Sequence, residues 1–268
     1  MMKIGFIGAG NMASAMIGGM IRSKIMEPQN IIASALTDST LNKVKGNFNI
    51  ETTKNSKELV KRCEVVVIAV KPNVYDSVLE EVKEYITNEK IIITIAAGKT
   101  IKSVEDIIGS DKKIVRTMPN TPAFVNEAMS ALCPNKNISK EELDKVIEIF
   151  SSFGKCEVID ENLIDAVIGV SGSSPAYVFM FIEALADGAV KNGMSRDKAY
   201  KFAAQSVMGA AKMVLESKKH PGELKDMVCS PGGTTIEAVS VLEEENMRSS
   251  VIKAVDAAVE KSKSMSLN

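Results

Sequence analysis

Two glycine-centred stretches carry the residue types that bind anions, one near each end of the chain. Near the N-terminus, Lys3-Ile4-Gly5-Phe6-Ile7 reads as a short buried strand and runs into Gly8-Ala9-Gly10-Asn11-Met12-Ala13. Ala15, Met16, Ile17, Met20 and Ile21 then recur at helical spacing. Strand, turn and helix in this order, with GxGxxA at the turn, form the dinucleotide fingerprint. Gly8 permits the tight turn, Gly10 lets backbone approach a pyrophosphate, and Ala13 lets the helix pack closely on the strand. Towards the C-terminus, Cys229-Ser230-Pro231-Gly232-Gly233-Thr234-Thr235 leads into a helical pattern at Ile236-Glu237-Ala238-Val239. A Gly-Gly turn at a helix start leaves N–H groups without intrahelical partners, and these attract a carboxylate or a phosphate. The Thr234 and Thr235 hydroxyls add donors there. Taken alone, each stretch has a plainer reading: a structural βα turn, and a helix start capped by threonine.

Other reactive residues are few. The only histidine is His220, beside Pro221 in a polar stretch. It reads as a surface residue at a helix start, so any chemistry needs little acid–base help from the protein. Hydride transfer meets that condition, because a cofactor carries the difficult step. Cys63, Cys133, Cys156 and Cys229 are scattered with no CxxC pair. That pattern argues against a zinc site or disulfide scaffold, so no metal is expected, and it fits a reducing compartment such as the cytoplasm. The 268 residues carry a formal net charge of −1. A near-neutral charge gives no reason to expect a nucleic-acid partner. No apolar run reaches the roughly 18–20 residues of a membrane span, so no membrane partner is expected. The chain enters a strand pattern directly at its start, without a signal-peptide pattern.

The elements that would position these residues follow in order. Asn30–Ser34 reads as a second strand, and its tip, Ser34-Ala35-Leu36-Thr37-Asp38, offers neither the acid that receives a ribose hydroxyl nor an arginine for a ribose phosphate. The choice between NADH and NADPH is therefore open. Asp38 reads as a turn residue and 48–52 as a short third strand. A helix over 54–61 is opened by Asn55 or Ser56 as cap. Glu64–Val70 is the clearest buried parallel strand and ends in Lys71-Pro72-Asn73. A helix over 74–85 precedes the strand 90–95, which ends in Ala96-Ala97-Gly98, where a flat ring has room against backbone. After a short helix at 101–108, the strand 113–117 ends in Met118-Pro119-Asn120-Thr121-Pro122, a stiff loop on the same sheet edge. Strands at 128–133 and 155–159 flank an amphipathic helix over 140–152.

The pattern changes after Asp160. From Leu163 to Leu267 no strand is convincing, and small residues such as Ala184, Ala186, Gly188, Ala203 and Ala204 stud the helical repeats. Small faces allow close helix approach and a bundle. Ser171-Gly172-Ser173-Ser174-Pro175 interrupts the first long helix. Pro175 cannot donate to the Ser171 carbonyl, so groups freed at the kink need partners, from a small polar ligand or from water. The chain thus reads as α/β: an N-terminal Rossmann-type dinucleotide-binding domain over 1–161, then an all-α helical-bundle dimerisation domain over 162–268.

With those motifs in order, the chain resembles the pyrroline-5-carboxylate reductase family over essentially its whole length. The resemblance is carried by GAGNM (Gly8 to Met12), AVKP (Ala69 to Pro72), AAG (Ala96 to Gly98), RTMPNTP (Arg116 to Pro122) and SGSSPAYVF (Ser171 to Phe179). It continues through ALADGAVKNGM (Ala184 to Met194), GAAKM (Gly209 to Met213), HPGELKDMV (His220 to Val228) and SPGGTT (Ser230 to Thr235). Two departures stand out: Ser174 where the family usually has glycine, and Ala35-Leu36 where many members carry polar residues towards NADPH.

The resemblance implies NADPH- or NADH-dependent reduction of the cyclic imine 1-pyrroline-5-carboxylate to L-proline. It implies a small-molecule substrate, and a homodimer or a decamer of five dimers with interlocking helical domains. The substrate pocket would lie between the Rossmann domain of one subunit and helices of both. Gly8, Gly10, Asn11 and Met12 would hold the pyrophosphate, and Ser34 and Asn55 would lie near the adenosine. Ala69, Lys71 and Pro72, with Val70 of the same motif, would meet the nicotinamide ribose. Ala96, Ala97 and Asn120, with Gly98, would lie near the ring. The substrate carboxylate would sit on the N–H groups of Gly232, Gly233 and Thr234, with Ser173 nearby, and Thr235 would serve the ring nitrogen as the catalytic residue. Two rival readings fit the same sequence. A β-hydroxyacid dehydrogenase would need a lysine acid, Lys191 or Lys212, and a non-catalytic nucleotide sensor would need no SPGGTT site.

Overall fold

A computed structural model describes residues 2–266; Met1, Leu267 and Asn268 lie outside the described residues, and so do the outer limits of the two expected domains and the end of the strandless stretch at Leu267. The elements run β1 (Ile4–Ile7), α1 (Asn11–Arg22), β2 (Ile31–Ser34), α2 (Asp38–Phe48), β3 (Glu51–Thr53), α3 (Ser56–Arg62), β4 (Val65–Ile68), α4 (Pro72–Val82), β5 (Ile91–Thr94), α5 (Ile101–Ile108), β6 (Lys113–Met118), β7 (Ala128–Pro134), α6 (Lys140–Ser151) and β8 (Gly154–Val158). Helices follow: α7 (Ile164–Val167), a π-helical turn at Ile168–Gly172, α8 (Ser174–Lys191), α9 (Arg196–Ser217), α10 (Pro221–Val228), α11 (Thr234–Glu244) and α12 (Met247–Ser266). The chain divides into two compact units. The first runs to Gly172 and regains the chain from Ala258 onward; the second is Ser173–Ala257.

The first unit is built on one sheet of order β3-β2-β1-β4-β5-β6-β7-β8. Strands β1 to β6 are parallel neighbours, whereas β7 runs antiparallel to β6 and β8 parallel to β7. Alternation along β4 explains the layering. Val65 and Val67 face a core with Ile4, Phe6, Met16, Ile17 and Met20, while Val66 and Ile68 face another with Leu59, Tyr75, Leu79 and Val104. Burial on both faces gives β4 its continuous apolar run. Each such side chain contributes about 1.5–3 kcal/mol of transfer free energy. Parallel pairing also aligns the C-terminal ends of β1, β4, β5 and β6, where open α/β sheets bind ligands.

Three expectations change. Residues 38–48 form α2, in place of a turn at Asp38 and a strand from 48. The Thr37 side chain caps it by accepting from Thr40 N–H, and only Leu41 and Val44 are buried within it, too little apolar signal to recognise a helix. The third strand shrinks to Glu51–Thr53, because α2 ends at Asn49 in the left-handed region at φ 54°. The proline-flanked loop after β6 coils into a 3-10 helix at Thr121–Val125.

In the second unit, α8 and α9 pack through Ala186, Ala199 and Ala203, with Ile182, Ala189, Val190 and Met194 partly buried around them. Alanine at the contact allows the close approach expected from sequence. The helical run Glu161–Lys191 continues through the π turn, spans 31 residues and has a mean hydropathy of 1.3 in its most apolar window. By length and composition alone it is long and apolar enough to cross a membrane, which corrects the expectation that no such run exists. The polar Ser171–Ser174 segment hides this continuity in the sequence.

Candidate active site

The nucleotide half of the site lies in the first unit. Gly8 follows β1 at φ 99°, and a Cβ there would lie 2.5 Å from the Ala69 carbonyl oxygen, so only glycine fits. Its N–H donates to the Ser34 carbonyl at 2.9 Å, tying the turn to the end of β2. Gly10 is the N-cap of α1 and receives no side-chain cap. A Cβ on Gly10 would meet nothing within 4 Å. The start of α1 is therefore open, with first-turn N–H groups lacking intrahelical partners. Ser34 is buried and its hydroxyl lies 3.1 Å from the Ser56 hydroxyl. Asn55 is exposed and caps α3, its Oδ1 accepting from Glu58 N–H at 3.1 Å, as one of the two sequence options has it.

The loops after β4, β5 and β6 supply the rest. Ala69 and Val70 are half-buried, and Lys71 and Pro72 are exposed as N-cap and first residue of α4. No ion pair among the described residues involves Lys71, a free cation at the sheet edge. Ala96 is buried beside half-buried Ala97 and Gly98. Gly98 stands at φ 78°, and a Cβ there would lie 3.0 Å from the Met265 carbonyl oxygen. Sequence reasoning missed what fixes this loop. Glu161 Oε1 accepts from the Ile101 N–H at 2.7 Å and from Arg116 Nη1 at 2.8 Å. Arg116 is buried within β6, so its guanidinium depends on that carboxylate. An arginine flanked by Ile114, Val115 and Met118 inside the 113–118 strand is the available signal. Burial pushes the nearby Cys133 thiol up to about 11, which removes it as a nucleophile near neutral pH. Asn120 is also engaged inward: its Oδ1 accepts from Met129 N–H at 2.9 Å and its Nδ2 donates to the Ser171 carbonyl at 3.0 Å.

The anion-binding turn lies in the second unit. Gly233 N–H donates to the Ser230 carbonyl at 3.0 Å across Pro231 and Gly232, and Gly232 has φ 65°. Proline followed by a left-handed glycine under such a bond is the signature of a type II turn. The Gly233 N–H expected for a ligand is therefore engaged inside the turn, a correction with a plain cause. Gly233 becomes the N-cap of α11 with no side-chain cap, so the threonine cap of the plainer reading is not formed. The N–H groups of Thr234 and Thr235 then stand at the open start of α11. Thr234 is exposed, Thr235 half-buried, and neither hydroxyl has a partner among the described residues. His220 caps α10, with Nδ1 accepting from Gly222 N–H at 3.0 Å, which is the helix-start role expected of it. Ser173 is half-buried and precedes α8 without capping it.

The pattern of caps discriminates. Helices α2, α3, α5, α6 and α10 begin under a side-chain cap. Helices α1, α4, α8 and α11 do not, and each opens on a segment singled out for binding; α9 also begins without a side-chain cap. The open α1 start and the clear space over Gly10 fit a dinucleotide pyrophosphate.

A doubly wound sheet with this glycine turn, followed by helices, defines a nucleotide-dependent oxidoreductase. Residues 3–98 match the family model for NADP oxidoreductase, coenzyme F420-dependent, and residues 161–265 match that for pyrroline-5-carboxylate reductase dimerisation. The pyrroline-5-carboxylate reductase of Escherichia coli K12 is 49% identical over 98% of both chains. That of Methanosarcina acetivorans is 46% identical over 98% of this chain and 97% of its own. The crystal structure of the Plasmodium falciparum pyrroline carboxylate reductase with NADP bound is 37% identical, with a TM-score of 0.90, over 99% of this chain and 98% of its own. The chain belongs to the pyrroline-5-carboxylate reductase family.

Proposed function

We propose that this chain reduces 1-pyrroline-5-carboxylate to L-proline with NADPH or NADH, the last step of proline biosynthesis. The observation that carries the reading is the SPGGTT turn, which opens α11 on an uncapped glycine beside two threonines whose hydroxyls have no partner among the described residues. When bound, the reduced nicotinamide supplies the hydride that the imine carbon receives. The chain's own residues bind and orient. Gly8, Gly10, Asn11 and Met12 hold the pyrophosphate at the open start of α1. Ser34 and Asn55 lie on the adenosine side. Ala69, Val70, Lys71 and Pro72 meet the ribose next to the nicotinamide, and Ala96, Ala97 and Gly98 give the ring a flat seat.

The substrate carboxylate sits on the N–H groups of Gly232, Thr234 and Thr235, at the positive end of α11, with Ser173 on the same ligand. Gly233 contributes the turn geometry. The Thr235 hydroxyl bonds the ring nitrogen, a contact of about 1.5–3 kcal/mol when the nitrogen is charged. The imine takes its proton from solvent, consistent with a histidine committed to capping α10. Orientation of the imine carbon is the larger contribution to rate.

NADP in the Plasmodium relative favours NADPH, while the apolar, 92% exposed Leu36 at the β2 end leaves room for NADH. We place the domain limit at 161/162, and the protein in the cytoplasm as a homodimer or a decamer of five dimers, with no nucleic-acid or membrane partner. The apolar Glu161–Lys191 run falls within the part matched to the dimerisation model, so a second copy accounts for its character. The test is to supply the purified protein with imine and each nucleotide and follow nicotinamide absorbance together with proline formation. Nucleotide binding without imine-dependent oxidation would instead support a sensor.

A further inference from the structure

Pro175 stands four residues after Ser171 and lacks the N–H that a continuing helix would direct at the Ser171 carbonyl. The chain here passes from the π-helical turn through Ser173 into α8. The carbonyl finds a donor outside the helix, in Asn120 Nδ2 at 3.0 Å. The other end of the same carboxamide accepts the Met129 N–H at 2.9 Å, and Ser171 Oγ donates to the Met129 carbonyl at 3.3 Å. Three bonds thus close a triangle between the start of β7, the loop after β6 and the helix kink. A donor demand at one end and an acceptor demand at the other fix which way the amide points. Asn120 is 8% exposed, so losing it strands polar groups in a largely dry place.

We infer that Asn120 is a positioning residue for the reaction. It replaces the helical hydrogen bond that Pro175 forbids, and so fixes the turn on which Ser173 stands; its carboxamide does not serve as a nucleotide contact. The inference rests on the proposed role of Ser173 at the imino acid. It separates two effects: loss of Asn120 should weaken the imino acid and spare the nucleotide.

The experiment is a cycle of Asn120→Ala, Pro175→Ala and the double variant in the full-length protein. Pro175→Ala returns an N–H four residues after Ser171, so the double variant supplies the missing donor from within the helix. N120A should raise KM for 1-pyrroline-5-carboxylate about tenfold. Its Kd for NADPH, from fluorescence titration, should match the parent, and amide hydrogen exchange over 171–177 should accelerate. The double variant should recover most of the KM and the exchange protection. Weakened NADPH binding in N120A, or no recovery in the double variant, overturns the inference. Should N120A fail to fold, folding of the double variant supports it and failure of both overturns it. Exchange is read without catalysis: a parent protein inert towards the imine sinks the proposed reaction, while the exchange cycle still decides the clamp.

Discussion

Gly8 and Gly10 belong to one turn and answer to different constraints. A methyl on Gly8 would meet the Ala69 carbonyl at 2.5 Å from a backbone at φ 99°. Gly8→Ala should therefore destabilise the fold by about 2–4 kcal/mol, measured by denaturant titration. Gly10 has an ordinary φ of −77° and open space where a Cβ would stand. Gly10→Ala should leave stability within about 0.5 kcal/mol, yet weaken NADPH about tenfold or more, because the methyl occupies the pyrophosphate's approach. Equal nucleotide affinity in G10A and parent would move the pyrophosphate off α1. At the other end of the chain, Thr235→Ala should lower kcat about tenfold with NADPH affinity intact, and Thr235→Ser should restore most of it. The glycines were legible because their spacing carries a backbone requirement. The engaged N–H of Gly233 was not, since it depends on whether residues 230–233 close as a turn. The motif alone sets Asn120 beside the ring; its bonds to Met129 N–H and to the Ser171 carbonyl, which Pro175 leaves without a helical donor, join segments too distant in sequence to be read together.

Single side chains at element ends set how the site-bearing loops are held. Glu161 joins α5 to β6, accepting from the Ile101 N–H and the buried Arg116 guanidinium. Glu161→Gln keeps an acceptor for Ile101 but leaves Arg116 without a charge partner. A cost of about 2–4 kcal/mol is expected, somewhat below a fully buried pair because Glu161 is 31% exposed. Urea midpoints check it, with a shift under a few tenths of a kcal/mol showing that water satisfies Arg116 instead. On α6 the Ser139–Glu142 capping box is joined by Lys113 at 2.6 Å from Glu142. Burial raises the Glu142 carboxyl, but Lys113 and the Ser139 groups outweigh it and hold the pKa below its usual 4.5. A depressed carboxyl stabilises the fold above its unfolded value. That contribution is present at neutral pH, begins to fade near pH 4.5 and is lost as pH falls through the folded value. Glu142→Gln should flatten this part of the stability–pH curve, as melting at pH 3–6 would show. These elements also mark how far sequence reached. β4, β5 and α5 were plain because continuous apolar runs or strong amphipathicity name them, whereas α2 shows too few buried residues to announce itself. Glu161 reads as an ordinary polar residue until the strand that holds Arg116 is placed beside it.

At the scale of the molecule, the two units differ in what they bury. The first unit encloses both faces of its sheet. Within the second unit only Ala186, Ala199, Ala203 and Leu224 are buried among the described hydrophobic residues. Phe179, Met180, Phe202 and Leu215 stand 63%, 68%, 63% and 78% exposed there, far more apolar surface than an isolated helical unit sustains. At about 25 cal/mol per Å² of apolar area, covering such a surface with a second copy is a strong driving force for association. That is the physical content of the dimerisation match over 161–265. The 28.9 kDa chain should therefore show at least twice that mass by light scattering at micromolar concentration, with a melting temperature that falls on dilution. Paired substitutions Phe202→Asp and Leu215→Asp should lower the mass and abolish imine reduction, because the helices that carry the SPGGTT turn lose their support. NADPH affinity should persist, since the nucleotide residues belong to the first unit with its own core. A parent protein that is monomeric and fully active would show that the exposed helices need no second copy, and would separate the reaction from assembly.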